Sequence, residues 1–479
     1  MIVRLDGALA RRTLALALLL LWPLILFGRP SHIADSASYL KGGRVAVEFV
    51  AAKLFPLPVA APGAGPPAAS ERGGPGLHDA PKGARSVTYS VAAYWLRWPG
   101  VDMTALALVQ TICAAFVGAV TLMVLGVAGW GRFLAVASVL AFATPLAPLC
   151  ANAVPDVFSG FVIVTLILTT LFLDRMSLGV RLVTAALTSF AVTVHASIPP
   201  LAMGMVIVGG IILLLGKRFG LARPRWAWAW LIIPPGFGLI ANTAIGYVAF
   251  GEVSVAAKRF PTALTRSVVD GPARWYLEKH CATEHYAVCE VFGTRIPSTI
   301  NDFLFYERGL NGRATPEQMD RIRAEEAEIV MKAAMEYPGY EAYNLSRGIV
   351  RQLFRYDLGK GRFKERLALD AQGSPQLVLS GRHIQPVMVA VGMLNNLVLG
   401  LCVAWMAVNL KRIDNRERFS ALLVLAGLVG NAAIVVIFSS LSPRYQARVI
   451  WVIPLFLLGM AAAHYRSKTR RVPEPGTGL

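Results

Sequence analysis

The chain has 479 residues, 55% of them hydrophobic and only 16% charged, with a formal net charge of +19. A soluble protein of this length cannot hide so large an apolar share. The basic residues sit mostly between apolar blocks, so membrane topology explains them better than nucleic acid does.

The apolar blocks lie at about 13–28, 102–127, 133–150, 156–173, 182–196, 200–216, 227–250, 385–409, 419–440 and 447–463. Several reach the roughly 18–20 residues that cross a bilayer core as helix. They predict an all-α polytopic membrane protein of about ten transmembrane helices, seven of them in 1–250 and three in 385–464, with a basic tail at 465–479. A cleaved signal peptide is the alternative for the first block, but Phe27-Gly-Arg-Pro30 is a poor cleavage site. The fifth and sixth blocks are short and could form one hairpin bent at Ser197-Ile-Pro-Pro200.

Orientation follows from Lys and Arg in the short loops. Arg4, Arg11, Arg12, Arg132, Arg175, Arg181, Lys217, Arg218, Arg223, Arg225, Lys411, Arg412, Arg416, Arg418, Arg466, Lys468, Arg470 and Arg471 all fall on one side of a ten-span walk. That side is expected to be the cytoplasm and to hold both termini.

Two longer segments then lie outside. The first, 29–101, contains His32 and Asp35, then a Pro/Gly/Ala-rich stretch, Pro56–Pro75, that reads as linker. Its last aromatics, Tyr89, Tyr94, Trp95 and Trp98, suit a helix in the membrane interface. The second, 251–384, has the composition of a soluble, mainly helical domain. Thr315-Pro-Glu317 reads as a helix start, with Thr as N-cap and Pro at the first position. Helices are predicted at Glu317–Glu336 and Tyr337–Tyr356. On the second, Arg347, Arg351 and Arg355 share a face. That face is solvated, anchored to lipid head groups, or suited to a phosphate-bearing substrate. Cys281 and Cys289 lie close together where oxidation is permitted, so a disulfide is expected. Cys113, Cys150 and Cys402 belong to apolar blocks, as small hydrophobes.

No Asp, Glu, Lys or Arg lies near the centre of a predicted span, which argues against a proton-coupled pump. Asn242, Asn395, Asn396 and Asn431 remain there, as residues that bridge helices. Ionisable residues gather instead at one depth on the outer side: Asp35, Asp156, His195 and Arg444. A carboxylate, a cation and a histidine at that surface could handle a lipid-linked phosphate and a hydroxyl acceptor. Each also has a purely structural role open to it. Asp35 could cap a helix starting at Ser36, and Asp156 could complement a helix dipole. His195 could satisfy buried backbone, and Arg444 could anchor at the interface.

The early outer Asp35, the Pro155-Asp156 pair at a later helix start, and Arg444-Tyr445 ahead of Pro454 resemble the C-type membrane glycosyltransferases. That resemblance implies a many-helix enzyme taking sugar from a polyprenyl-phosphate donor, with Asp35 catalytic and Arg444 and Tyr445 on the donor. His195, Asp156, Arg347, Arg351 and Arg355 would assist binding. The family's usual acidic pair is missing, since Ser36 follows Asp35, which leaves metal dependence and the catalytic role open; no cofactor is expected, and a divalent metal has no support in the sequence. The implied partners are membrane lipids, the lipid-linked sugar and a glycan or lipid acceptor, at the bacterial cytoplasmic (inner) membrane. The loop from Cys281 to Phe303 also resembles bacterial membrane proteins of unassigned function. A lipid or glycan flippase and a non-enzymatic assembly protein are the rival readings.

Overall fold

The computed structural model describes residues 2–54, 85–221, 224, 226–358, 363–371, 373, 375–381 and 384–469. The expected linker, and Arg223, Arg225, Arg470 and Arg471, lie outside the described residues.

The chain is mostly helical. It opens with α1 (Gly7–Leu20), whose N-cap Asp6 accepts from the Ala8 and Leu9 amides, then α2 (Trp22–Phe27), with Pro23 in its first turn. There follow α3 (Ala34–Leu54), α4 (Val87–Trp95), α5 (Thr104–Val124), α6 (Trp130–Phe142), α7 (Leu146–Cys150), α8 (Phe158–Leu171), α9 (Leu178–Thr193), α10 (Ile198–Leu215) and α11 (Ala227–Phe250). The intervening region holds α12 (Thr262–Asp270), α13 (Pro272–His280), α14 (Ala287–Phe292), α15 (Leu310–Arg313), α16 (Pro316–Glu336) and α17 (Pro338–Leu353). After a hairpin of β1 (Glu365–Leu369) and β2 (Pro375–Leu379), the chain ends in α18 (Gln385–Asn409), α19 (Asn415–Phe438), α20 (Pro443–Ile450) and α21 (Val452–Thr469).

Among the described residues, seven helices are long and apolar enough to cross a membrane: Gly7–Phe27, Thr104–Val124, Ile198–Phe219, Ala227–Phe250, Gln385–Asn409, Asn415–Phe438 and Pro443–His464. A helical membrane protein of several spans is the architecture these support. The third, fourth and fifth sequence blocks correspond to shorter apolar helices, Trp130–Phe142, Pro155–Leu171 and Leu178–Thr193. The reason is clearest at α8, where every residue is buried. It is the axis of the bundle, packed by α5, α9, α10, α11, α19 and α20. By contrast, only 28% of the apolar window of α11 or of α18 is buried, so these two form the periphery.

Two expectations are corrected. First, the chain is not all-α: β1 and β2 pair antiparallel, Glu365 opposite Leu379, with Gly373 in the turn at positive φ. Second, Tyr89 is no interface anchor. It is fully buried, with its ring 4.8 Å from that of Tyr39, because α4 packs directly on α3. Gly43 permits that approach, since a Cβ there would overlap the Ser90 carbonyl. Trp95 and Trp98 do stay exposed. The fifth and sixth blocks are two separate helices, α9 and α10, as the ten-block reading has them, and Pro199 and Pro200 occupy the first turn of α10, where a missing N–H is harmless.

The 251–384 region has its own core, including Leu264, Leu277, Val288, Phe303, Met319 and Ile329. A capping box starts α16: Thr315 accepts from the Gln318 amide while Gln318 reaches back to the Thr315 amide. A disulfide joins Cys281 and Cys289, with Cα atoms 5.4 Å apart. The last helix of the region, α17, lies against α19, where Gly348 meets Val436.

Candidate functional site

Three chain segments that are remote in sequence converge at the end of the bundle below the 251–384 region. The segment after α2 is held by Ser31, whose amide donates to the Ala151 carbonyl while its own carbonyl accepts from Ala153. The Ser36 hydroxyl then donates to the Ala153 carbonyl at 3.0 Å. These contacts place the first turn of α3 beside the 310 turn Pro155–Val157 that leads into α8. The third segment is the start of α20. It is fixed by the fully buried Gln352 of α17, which donates to the Ser442 carbonyl and accepts from the Ser442 amide.

Arg444 ties the three together. Its Nε donates to Asp156 Oδ2 at 2.7 Å and its Nη1 to Asp35 Oδ2 at 3.1 Å. The other oxygen of Asp35 accepts from Arg85 Nη2 at 2.5 Å. Asp156 is buried and Asp35 only 20% exposed at its side chain, so these pairs are largely dry, as buried carboxylates require. Asp35 is not a helix cap: α3 begins at Ala34, and both carboxylate oxygens take guanidinium N–H groups. Arg444 Nη2 is buried with no hydrogen-bond partner among the described residues.

A second buried guanidinium lies one turn on. Arg448 donates from Nε and Nη2 to Asn431 Oδ1, at 3.0 and 2.7 Å. Asn431 in turn donates to the Tyr445 carbonyl and to Gln446 Oε1. The Tyr445 ring lies between the two guanidiniums, 5.6 Å from that of Arg444 and 5.3 Å from that of Arg448.

A cavity of about 400 Å³ opens against this cluster. Its polar lining includes Arg85, His195, Arg259, Tyr445 and Arg448. Its apolar wall comes from three helices: Pro200 and Met203 of α10, Leu239 of α11, and Val435 and Phe438 of α19. No described carboxylate lines it; of its three guanidiniums, Arg85 pairs with Asp35 and Arg259 with Glu326 outside the lining. A smaller cavity of about 60 Å³ shares Arg85, His195 and Arg259 and adds Thr193 and Asn242. Arg259 enters from the foot of the 251–384 region and pairs with the buried Glu326, which also accepts from the Ala263 and Leu264 amides.

Of the residues singled out from sequence, Asp35, Asp156 and Arg444 are in direct contact, and His195 and Tyr445 line the cavity. Asp35 and Arg444 themselves stand behind its wall, with Arg85, Tyr445 and Arg448 between them and the space. Arg347, Arg351 and Arg355 are elsewhere. They are exposed on the face of α17, or just past its end, that turns away from α19. Sequence reasoning missed Arg85 and Arg259 altogether. Arg448 carried a readable signal, since it repeats Arg444 at a helical spacing of four.

The arrangement suits an anion with an apolar tail: cationic donors at one end and spanning-helix side chains along the side. Among the described residues no group of three or more His, Cys, Asp or Glu could hold a metal ion. No protein-family model, curated protein or solved structure matches this chain.

Proposed function

We propose that this protein is a glycosyltransferase of the bacterial cytoplasmic membrane, crossing it ten times with both termini cytoplasmic. It moves a sugar from a polyprenyl-phosphate carrier to a glycan or lipid acceptor on the outer face. The observation that carries the reading is the cavity, which pairs three guanidiniums with an apolar wall of spanning helices. A lipid phosphate needs both at once, because its tail stays in hydrocarbon while its head group reaches polar chemistry.

In the reaction, the acceptor oxygen attacks the anomeric carbon while its proton passes to Asp35 as general base. The bond from the anomeric carbon to the phosphate oxygen breaks, and its electron pair leaves with the polyprenyl phosphate. Arg85, Arg448 and Arg259 meet the added negative charge. Arg444 holds Asp35 and Asp156 in register. Arg85 links the two halves of the step: it engages Asp35 and, 37% exposed at its side chain, can turn to an arriving phosphate and release Oδ1. Arg347, Arg351 and Arg355 contact lipid head groups. Against a flippase stands the sealed axis of the bundle, since every residue of α8 is buried.

The test is a search for carrier-linked sugars in a strain lacking this chain, followed by incubation of the accumulated species with the purified protein in lipid nanodiscs. One polyprenyl-phosphate sugar should accumulate and then be consumed, with sugar appearing on an acceptor. An unchanged carrier pool and no consumption would sink the reading. Passage of intact donor across protein-bearing vesicles would point to transport.

A further inference from the structure

His195 sits in the short connection between α9 and α10 and lines both cavities. Its ring is fixed from one side. The Ser197 backbone N–H donates to Nδ1 at 3.2 Å, and the Ser197 hydroxyl lies 2.8 Å from the same atom. A backbone amide can only donate, so the Ser197 N–H contact favours the lone pair on Nδ1 and the ring proton on Nε2. Nε2 has no partner among the described residues, although the ring is only partly exposed.

The Nε2–H faces space shared with Arg85, Arg259 and Arg448 and lined by no described carboxylate, where it can meet an oxygen acceptor of a ligand. We infer that His195 is a binding donor, not the base: its Nε2–H hydrogen-bonds a phosphate oxygen of a phosphate ester held in this cavity. The inference rests on the function proposed above and deepens it by assigning the histidine. The Ser197 contact is what selects the role. With Nε2 protonated and Nδ1 taken up by Ser197, the ring offers no free lone pair to an acceptor hydroxyl.

The amides of Gln and Asn divide the ring's two functions. Gln places an N–H near the Nε2 position and Asn places a polar atom near Nδ1. Full-length protein in nanodiscs is titrated with geranylgeranyl phosphate, with inorganic phosphate as competitor. His195→Ala and His195→Asn should weaken geranylgeranyl phosphate about tenfold or more, as expected for one hydrogen bond to a charged group, while His195→Gln stays near wild type. Rescue by Asn and not by Gln would mean that His195 only braces Ser197, and would overturn the inference. So would wild-type affinity in all three variants together with loss of transfer in each, the pattern of a base. Binding of inorganic phosphate as tight as that of the lipid phosphate, still lost in His195→Ala, would keep this assignment and overturn the lipid carrier instead. No binding of either probe to wild type overturns both.

Discussion

Replacing Asp35 by Asn separates holding from catalysis. In the wild type each carboxylate oxygen takes one guanidinium, Arg85 at 2.5 Å and Arg444 at 3.1 Å. An amide keeps one acceptor and turns its NH2 toward the other arginine. The loss is then one charge-assisted hydrogen bond, about 1.5–3 kcal/mol, nearer the lower figure because the pair is not fully dry. A domain with about 5–15 kcal/mol of stability survives that. Removal of a positioned base lowers turnover by about 10²–10⁴. Asp35→Asn should therefore give a protein that melts a few degrees lower, still binds geranylgeranyl phosphate, and transfers almost no sugar. The assay pairs thermal unfolding in nanodiscs with single-turnover transfer from the carrier-linked sugar. A folded Asp35→Asn protein with turnover close to that of wild type would refute the base assignment and leave Asp35 as a strut between two arginines.

Other perturbations reach different parts of the argument. Asn431→Leu strips two hydrogen bonds from the buried Arg448 guanidinium and should cost about 1.5–3 kcal/mol for each hydrogen bond to a charged group, read by thermal unfolding. Gly43→Ala should force α3 and α4 apart and lower both stability and transfer; a wild-type melting temperature would contradict the close approach at Ser90. Reduction of Cys281–Cys289, which closes a loop of sequence separation 8, should destabilise the 251–384 region by less than the roughly 3 kcal/mol of a 15-residue loop, measured by melting with and without reductant. Reporter fusions after Lys217 and after Asn311 should report opposite sides of the membrane, and signals from one side would break the proposed topology.

The helical bundle was legible because apolar runs of bilayer length leave little else for a backbone to do. The α16 start was legible because Thr315, Pro316 and Gln318 act within one turn. What stayed hidden depends on contacts across the chain. Tyr89 looked like an interfacial aromatic, and only the glycine at Gly43, far back in sequence, shows that its helix is pressed against another. Arg85 reads as one more base at the end of a linker, because its partner Asp35 lies 50 residues earlier. The periodic Arg347, Arg351 and Arg355 are exposed, as a solvated or lipid-facing side would be. Their common face is real, but a helix has two sides, and the side holding Gly348 and Gln352 is the one that packs. The hairpin at Glu365–Leu379 escaped because two five-residue strands carry too few alternations to stand out from loop.

The burial of α8 also bears on how the protein sits in lipids of different thickness. Fourteen residues of helix rise about 21 Å, well short of the roughly 30 Å hydrocarbon layer. A helix that touches no lipid has no hydrophobic length to match, so mismatch falls on peripheral helices such as α11 and α18, which can tilt. Asp156 stands at the head of α8 and Arg444 is fastened to it. The charged cluster is thus referenced to the protein's own axis, and a thicker or thinner membrane would move the lipid surface past the site while leaving its internal spacings intact.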